Sequence, residues 1–276
     1  MSFRKIFQKT LTGVSLSVIL YSYPFNIMAE ESEYSFLAQT GVFNTYRKES
    51  EPPSYLYSSL NRTGFIRKKP VAPNGSIFKV KDDKTLISTG DIVYIKPMKN
   101  SQLIMGRYYV SYRTMDPMAA EETKINFGTQ YYLTGIVEVT EKNPNFVIAK
   151  VIKSFRNVAV DDLLMPYTER ATKIVLKESR PGIDGEIIGP EEHSTLTGEY
   201  SVVFINKGSR DGIEPGQYYN IYYQEKARIV KEPVPLDFVD FGTILVLHTE
   251  DDTATAVVVR SERNIYPGAK IHTPGE

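Results

Sequence analysis

The sequence contains no cysteine and no tryptophan, and only three histidines among its 276 residues. The absence of cysteine excludes disulfide bonds, thiolate metal sites and cysteine nucleophiles, so the folded chain must be held by its own core. It also excludes a lipoprotein anchor, which needs a cysteine at the cleavage site. Net charge is lacking too: 33 basic residues balance 33 acidic ones, which leaves no electrostatic footprint for nucleic acid at the level of the whole chain.

The residues that are abundant favour β-structure. The chain has 19 tyrosines and 13 phenylalanines, and 41% of it is hydrophobic against 24% charged, a composition typical of a globular protein. Its apolar runs are short and consecutive, with turn residues between them and no long amphipathic helices. This pattern predicts an all-β fold of small antiparallel barrels or sandwiches rather than βαβ units.

The segment Met1–Ala29 has the layout of a cleavable export signal. The apolar stretch Leu11–Leu20 is short for a membrane span, and cleavage is predicted after Ala29. The alternative is an uncleaved anchor, for which Pro24 and Asn26 make a poor end. We therefore expect a protein of the periplasm of a Gram-negative-type bacterium, with no transmembrane span after removal of the signal. Three basic residues open the segment: Arg4, Lys5 and Lys9.

Residues 30–62 form a polar lead-in that Pro52 and Pro53 interrupt. It is expected to carry one short helix, such as residues 34–38, or to remain extended. Its aromatic residues, among them Tyr55 and Tyr57, either dock on the domain that follows or belong to a flexible tether.

Two near-copies of one phrase indicate an internal duplication. Gly106–Tyr112 reads GRYYVSY, and Gly216–Tyr222, at a spacing of 110, reads GQYYNIY. The apolar run Ile92–Ile95 returns as Val202–Ile205 at the same spacing. A constant spacing over several predicted strands indicates two copies of one β module. Beyond the next loop the spacing is 107, which pairs Gly135 with Gly242, Ala149 with Ala256, Ser154 with Ser261 and Asn157 with Asn264.

The duplication sets the predicted boundaries. The first β module covers residues 63–166, a linker covers 167–181, and the second module covers 182–276. Within the linker, residues 168–178 have some helical character. We interpret Gly185–Ile188, near the start of the second module, as the counterpart of Gly64–Ile66 in the first.

Each repeated phrase places tyrosines on both faces of a strand, because successive side chains alternate. The favoured interpretation is core and cross-strand packing. The functional alternative is an aromatic platform on which a sugar ring stacks, and its candidate residues are Tyr109 and Tyr219.

Residue types that carry chemistry are present without a recognisable catalytic arrangement. The three histidines lack metal-ligand spacing, and His193 in a loop and His248 at a hairpin are interpreted as solvated residues. Asp251 and Asp252 fall on a hairpin that matches residues 141–145, where a charged tip would discourage edge pairing. We predict no catalytic residue, no metal and no cofactor. The residues considered are His193, His248, His272, and the acidic pairs Asp161-Asp162, Glu191-Glu192 and Asp251-Asp252.

The matched phrases resemble the C-terminal β region of exported bacterial LysM-containing envelope proteins. The similarity covers about residues 64 to 273 and rests on turn and strand motifs. In that family the N-terminal LysM module is thought to bind the N-acetylglucosamine chains of peptidoglycan. Residues 30–62 lack the Gly-Asp-Thr-Leu start and the helix pair of such a module. The motifs are Thr89–Ile95, Gly106–Arg113, Ala149–Ser154 with Asp161–Pro166, Gly208–Tyr222, Thr253–Ser261 and Pro267-Gly268.

These observations predict a non-enzymatic envelope protein whose tandem modules bind a protein partner or peptidoglycan. Two alternatives stay open. One is an assembly component of a secretion, polysaccharide-export or flagellar structure. The other is a hydrolase, which would require Asp161-Asp162 and Asp251-Asp252 to meet in one cleft.

Overall fold

The computed structural model describes residues 51–99, 101–119, 125–229 and 232–275, which belong to a single unit, Glu51–Glu276. The predicted export signal, the cleavage site after Ala29 and the short helix at residues 34–38 lie outside the described residues. Fifteen strands make up the fold: β1 (Ser54–Leu56), β2 (Phe65–Arg67), β3 (Gly75–Val80), β4 (Ile92–Pro97), β5 (Tyr108–Met115), β6 (Thr129–Lys142), β7 (Val147–Ser154), β8 (Leu163–Pro166), β9 (Lys173–Val175), β10 (Asp184–Pro190), β11 (Val202–Ile205), β12 (Tyr218–Ile229), β13 (Glu232–Thr249), β14 (Ala254–Ser261) and β15 (Lys270–His272).

The only helical elements among the described residues are three 3-10 turns, Leu60–Arg62, Lys81–Asp83 and Ser209–Asp211. None of the helices in this part of the chain has the length and apolar character needed to cross a membrane.

The strands close into two antiparallel six-stranded barrels. The first runs β3-β4-β7-β6-β5-β8 and returns to β3, and the short strand β2 extends it by pairing with β6. The second runs β10-β11-β14-β13-β12-β15 and returns to β10. The prediction of an all-β chain with two tandem modules is confirmed, and both modules are barrels.

The two barrels share their register as well as their topology. Tyr94 pairs with Ile148 in the first barrel, and their counterparts at the spacings of the repeat, Phe204 and Thr255, pair with each other in the second. The β-bulge between Ile77 and Lys79 of β3 also returns between Ile187 and Gly189 of β10. This correspondence corrects one sequence assignment. The counterpart of Gly185–Ile188 is Gly75–Phe78, and not Gly64–Ile66, which leads into the additional strand β2.

Each barrel encloses its own core of β-branched and aromatic side chains, because alternate residues of every strand point inward. The two cores are built from residues at matching positions of the repeat. The first core includes Ile77, Val93, Ile95, Tyr109, Val137, Val139, Ala149 and Val151. The second includes Ile187, Val203, Ile205, Tyr219, Ile244, Val246, Ala256 and Val258.

The end of the lead-in and the linker form a strand pair of their own. β1 pairs with β9 in antiparallel register, with Tyr55 opposite Ile174. Tyr55, Tyr57 and Ile174 pack with Leu60 against Leu245, Leu247 and Val257 of the second barrel. Tyr55 and Tyr57 of the lead-in therefore dock, but on the second barrel and not on the module that directly follows them. The other aromatic residues of the lead-in lie outside the described residues. The helical character of residues 168–178 does not lead to a helix, because the ladder with β1 makes Lys173–Val175 a strand.

Candidate functional site at the junction of the barrels

The additional strand β2 of the first barrel packs on the outer face of the second barrel, which is formed there by β10, β11 and β14. Two buried threonines of the β14 region bind the backbone of this strand, since the Thr253 hydroxyl donates to the carbonyl of Ile66 at 2.6 Å and Thr255 to that of Gly64 at 2.9 Å. Apolar side chains fill the rest of the contact, and four of them form one buried cluster: Ile66, Phe127, Ile188 and Phe204.

The backbones of the two barrels come into direct contact at Gly189 of β10. A Cβ atom placed there would lie 2.0 Å from the carbonyl oxygen of Met118, which belongs to the loop that follows β5. Only glycine leaves room for this backbone contact. At this point of the junction, the main chain of one barrel therefore contacts the main chain of the other.

An ion pair with a buried carboxylate spans the junction. The guanidinium of Arg156, from the first barrel, lies 3.1 Å from the carboxylate of Glu191, whose side chain is 1% exposed. The backbone N–H of Gly64 donates to the same carboxylate. Burial raises the pKa of Glu191 above its usual value, against the pull of Arg156 and Gly64, which favour the charged form. The ion pair with Arg156 and the hydrogen bond from Gly64 offset the cost of burying the carboxylate of Glu191.

Arg156 makes further contacts that hold it in place. Its guanidinium donates to the carbonyls of Arg62 and Leu133 at 2.9 and 2.8 Å. It also stacks 4.1 Å above the ring of Tyr132 and pairs with Glu192. One arginine thus connects the lead-in, the first barrel and the turn after β10.

A second ionic group lies on the same junction. Arg67 of β2 donates two hydrogen bonds to the carboxylate of Glu250 at 2.7 and 2.9 Å, a bidentate pair. His248 lies 2.9 Å from the same carboxylate. Burial lowers the pKa of His248, and the positive charges of Arg170 and Arg67 act in the same direction, against Glu250. Burial opposes the charged form of Glu250, but its bonds to His248 and Arg67 prevail and lower the pKa of that carboxyl.

The acidic hairpin of the second barrel is therefore part of the junction. Asp252 lies 3.7 Å from Lys68, and Arg210 pairs with both Asp251 and Asp252. The tip is charged as predicted, and its carboxylates have partners in the first barrel and in the turn at Ser209–Asp211. Its role in discouraging edge pairing stays a prediction.

A cleft of about 460 Å³ opens between the barrels and the linker. Its apolar wall comes from the first barrel and includes Phe65, Leu133 and Met165, and its polar wall includes Arg170 and His248. The Nη1 atom of Arg170 donates to the carbonyl of Thr63 at 2.9 Å, which fixes the guanidinium at the cleft. A concave site with an apolar wall and a few fixed polar groups is the form that binding sites usually take.

The two tyrosines proposed as an aromatic platform lie inside the barrels. Tyr109 is 3% exposed and Tyr219 is fully buried, and each belongs to the core of its barrel. The Tyr109 hydroxyl accepts from the N–H of Ile104 at 3.0 Å, and the Tyr219 hydroxyl donates to Gln217 at 2.8 Å. Their ring faces are packed, so the core interpretation describes them and the sugar platform does not.

The remaining chemical candidates have separate partners. His193 lies 2.9 Å from Gln130, and His272, in the last strand, lies 2.7 Å from Asp240. Within the described ranges no three histidine, aspartate or glutamate side chains are grouped as a metal site. The acidic pairs proposed for a hydrolase have different partners, because Asp162 binds Arg113 and Thr134 whereas Asp251 and Asp252 bind Arg210 and Lys68.

Asp162 belongs to a buried polar cluster of the first barrel, which consists of Ser111, Arg113, Thr134 and Asp162. Thr134 lies 2.8 Å from Ser111 and 2.9 Å from Asp162, and Arg113 pairs with Asp162 through its guanidinium. The matching positions of the second barrel are apolar or aromatic. They are occupied by Ile221, Tyr223, Phe241 and Ala269, which pack on its apolar core.

Comparison with known proteins gives no family for this chain. Neither a scan against protein-family models nor a search of the curated proteins finds a match. The resemblance to the C-terminal region of LysM-containing proteins stays a prediction.

Proposed function

We propose that this chain is a non-enzymatic binding protein of the bacterial cell envelope, in which two barrels act as one rigid body. The buried junction supports this proposal more than any other feature. Ion pairs through Glu191 and Glu250 and backbone contact at Gly189 fix one barrel against the other. A fixed relation between two modules suits a protein that presents surfaces to a partner.

The cleft at the junction is the best candidate binding site. Its apolar wall would take a hydrophobic group, and Arg170 and His248 would face a group that accepts hydrogen bonds. Its location between the two modules means that the site exists only while the junction is intact. The ligand class we propose is an envelope protein segment or a peptidoglycan fragment with an apolar portion and a carbonyl or carboxylate end.

The test combines two binding measurements with one blocking variant. The purified protein is incubated with isolated sacculi, and separately used to capture partners from envelope extracts. Thr168 is exposed and lines the cleft, so Thr168→Arg should fill the entrance without disturbing the core. Thr114→Arg, at an exposed position of β5 outside the lining, is the matched control.

We expect the wild type and Thr114→Arg to bind equally and Thr168→Arg to lose most of its binding. Equal binding by all three proteins would remove the cleft as the site. Binding to neither sacculi nor envelope extracts would remove the proposed function.

A second candidate is an assembly component of a secretion, polysaccharide-export or flagellar structure. The aromatic cluster of Phe78, Tyr94 and Phe146 on the outer face of the first barrel favours it. An apolar surface with an exposed ring such as Phe78 is typical of a contact between proteins. Crosslinking in cells separates the two proposals, since an assembly component would be recovered in large complexes.

A further inference from the structure

The outer face of β3, β4 and the start of β7 carries an aromatic cluster, in which Phe78 is exposed and Tyr94 and Phe146 are half-buried. The rings of Phe78, Tyr94 and Phe146 contact one another, with centroids 5.8 to 6.4 Å apart. Ile148 lies beside Tyr94 in the ladder between β4 and β7. Phe78 is 44% exposed although it contacts two other aromatic rings. Together, Phe78, Tyr94, Phe146 and Ile148 form a surface that we call the open face.

The second barrel shows what covers this face when a neighbour is present. The shared register places Ile188, Phe204, Thr253 and Thr255 at the positions of the open face. All four are buried, because β2 and Phe127 of the first barrel lie on them. At the junction between the two barrels, the second barrel therefore makes contact through this face.

Among the described residues, no strand covers the edge of the second barrel that corresponds to the edge of the first barrel occupied by β2. On the first barrel, the docking element is β2, which occupies the edge of β6 where Phe65 pairs with Tyr131. The matching residue of β13 is Phe238, which is 57% exposed. One edge of β13 pairs there with Gln224 of β12, and none of the described residues pairs with its other edge between residues 237 and 240.

The charges around the two surfaces are complementary. Three exposed lysines border the open face, and exposed carboxylates, Asp237 and Asp240, flank Phe238. Opposite charges at two apolar surfaces steer their encounter and fix its register. The three lysines are Lys79, Lys96 and Lys150.

The contact differs chemically from the junction within the chain. Lys79 stands where Gly189 admits a backbone carbonyl, so a strand cannot approach the open face as closely. Phe146 and Ile148 replace the two threonines that bind the backbone of β2. The open face is therefore built for apolar contact with a side chain, and exposed Phe238 supplies one.

We propose that copies of this chain associate head to tail, with the edge of β13 at Phe238 of one copy seated on the open face of the next. Such a contact joins two different surfaces, so it forms chains or rings rather than closing as a symmetric dimer. This inference depends on the duplicated barrels and does not require the proposed ligand of the cleft.

The first test measures the mass of the purified protein by light scattering over a wide range of concentration. We expect assemblies larger than a dimer for the wild type. Phe78→Asp and Phe238→Asp should each raise the dissociation constant by about thirtyfold or more, as expected for a central aromatic contact. Leu86→Asp, at another exposed apolar position of the first barrel, is the matched control and should associate like the wild type.

The second test uses the absence of native cysteine to establish which surfaces meet. Lys150→Cys and Asp237→Cys are made in separate chains, mixed and oxidised. A mixed disulfide that forms in preference to either symmetric one supports head-to-tail contact. Preference for a symmetric disulfide would overturn it, as would a wild type that stays monomeric at every concentration. A monomeric protein that still binds sacculi or envelope proteins would disprove self-association and leave the proposed function intact.

Discussion

Arg156 and Glu191 belong to different barrels, and their charged groups lie 3.1 Å apart at the centre of the junction. The glutamate has almost no contact with solvent, and the arginine is mostly covered. Removal of Arg156 leaves the buried carboxylate of Glu191 without its ionic partner, which is far more damaging than the loss of a surface pair.

Arg156→Ala should lower the free energy of unfolding by about 3 kcal/mol, because Glu191 would remain buried without its partner. Denaturant titration followed by fluorescence of the tyrosines measures this change. Glu51→Gln is the control, since it breaks the exposed pair between Lys173 and Glu51 and should alter stability by less than about 0.5 kcal/mol. Equal effects of the two substitutions would contradict the structural importance of the junction pair.

Gly189→Ala should destabilise the protein by about 2 kcal/mol, because the new methyl group would overlap the carbonyl oxygen of Met118. Gly198→Ala provides the comparison, as a Cβ atom there would meet nothing within 4 Å. Thermal unfolding of both variants distinguishes a close contact between the barrels from a loose one. Similar melting temperatures would show that the loop at Met118 yields freely.

Tyr112→Phe should leave stability unchanged or raise it by about 1 kcal/mol, since removing an unpaired buried hydroxyl relieves its desolvation cost. The Tyr112 hydroxyl is buried without a hydrogen-bond partner among the described residues, and burial raises the pKa of Tyr112 to about 12. Tyr219→Phe should act in the opposite sense, with a loss of about 1 kcal/mol, because its hydroxyl binds Gln217. Urea titrations should therefore show a loss of stability for Tyr219→Phe and none for Tyr112→Phe.

Protonation of His248 should weaken the fold as the pH falls below about 6.5, its ordinary pKa. Burial lowers the pKa of His248 in the folded protein, so the unfolded chain binds more protons in this range. Stability therefore rises with pH across the interval between the folded and unfolded pKa values. Glu250 stays ionised there, since its pKa is lowered. The free energy of unfolding of His248→Asn should depend less steeply on pH in the same interval, and an unchanged slope would contradict the assignment.

Asp162→Ala should cost about 3 kcal/mol, because Arg113 and Thr134 lose the carboxylate that binds them. Replacement of all four residues of the polar cluster by their counterparts in the second barrel should recover most of the lost stability. In that variant Ser111, Arg113, Thr134 and Asp162 become Ile, Tyr, Phe and Ala, the residues at the matching positions. Failure of the fourfold variant to recover stability would show that the barrels have diverged in shape as well as in side chains.

The repeat was visible in the sequence because its signal is local and regular. Constant spacings of 110 and 107 between phrases such as Gly106–Tyr112 and Gly216–Tyr222 follow directly from two copies with one register. The assignment of Gly64–Ile66 failed for the same reason, since a Gly followed by apolar residues suited two strands equally. Only the ladder between β3 and β8, which includes Gly75, identifies the true counterpart.

The junction could not be predicted, because its partners are far apart in the chain and belong to no motif. Gly64 and Glu191 are separated by 127 residues, and Ile66 and Thr253 by 187. One signal was available in the comparison of the copies. Phe146 and Ile148 of the first copy become Thr253 and Thr255 in the second, a change from apolar to hydrogen-bonding side chains at one face. Such a difference indicates that the two faces have different neighbours.

The unlike interiors of the barrels have a consequence for folding. Two modules with the same strand order and register could exchange strands while the chain folds, a common route to misassembly in repeated proteins. A β5 strand inserted into the second barrel would bring Ser111 and Arg113 into an apolar core, without the carboxylate of Asp162. A β12 strand in the first barrel would leave that carboxylate unpaired. The polar cluster thus makes exchange of strands between the copies unfavourable, which favours the folding of each half of the duplicated chain with itself.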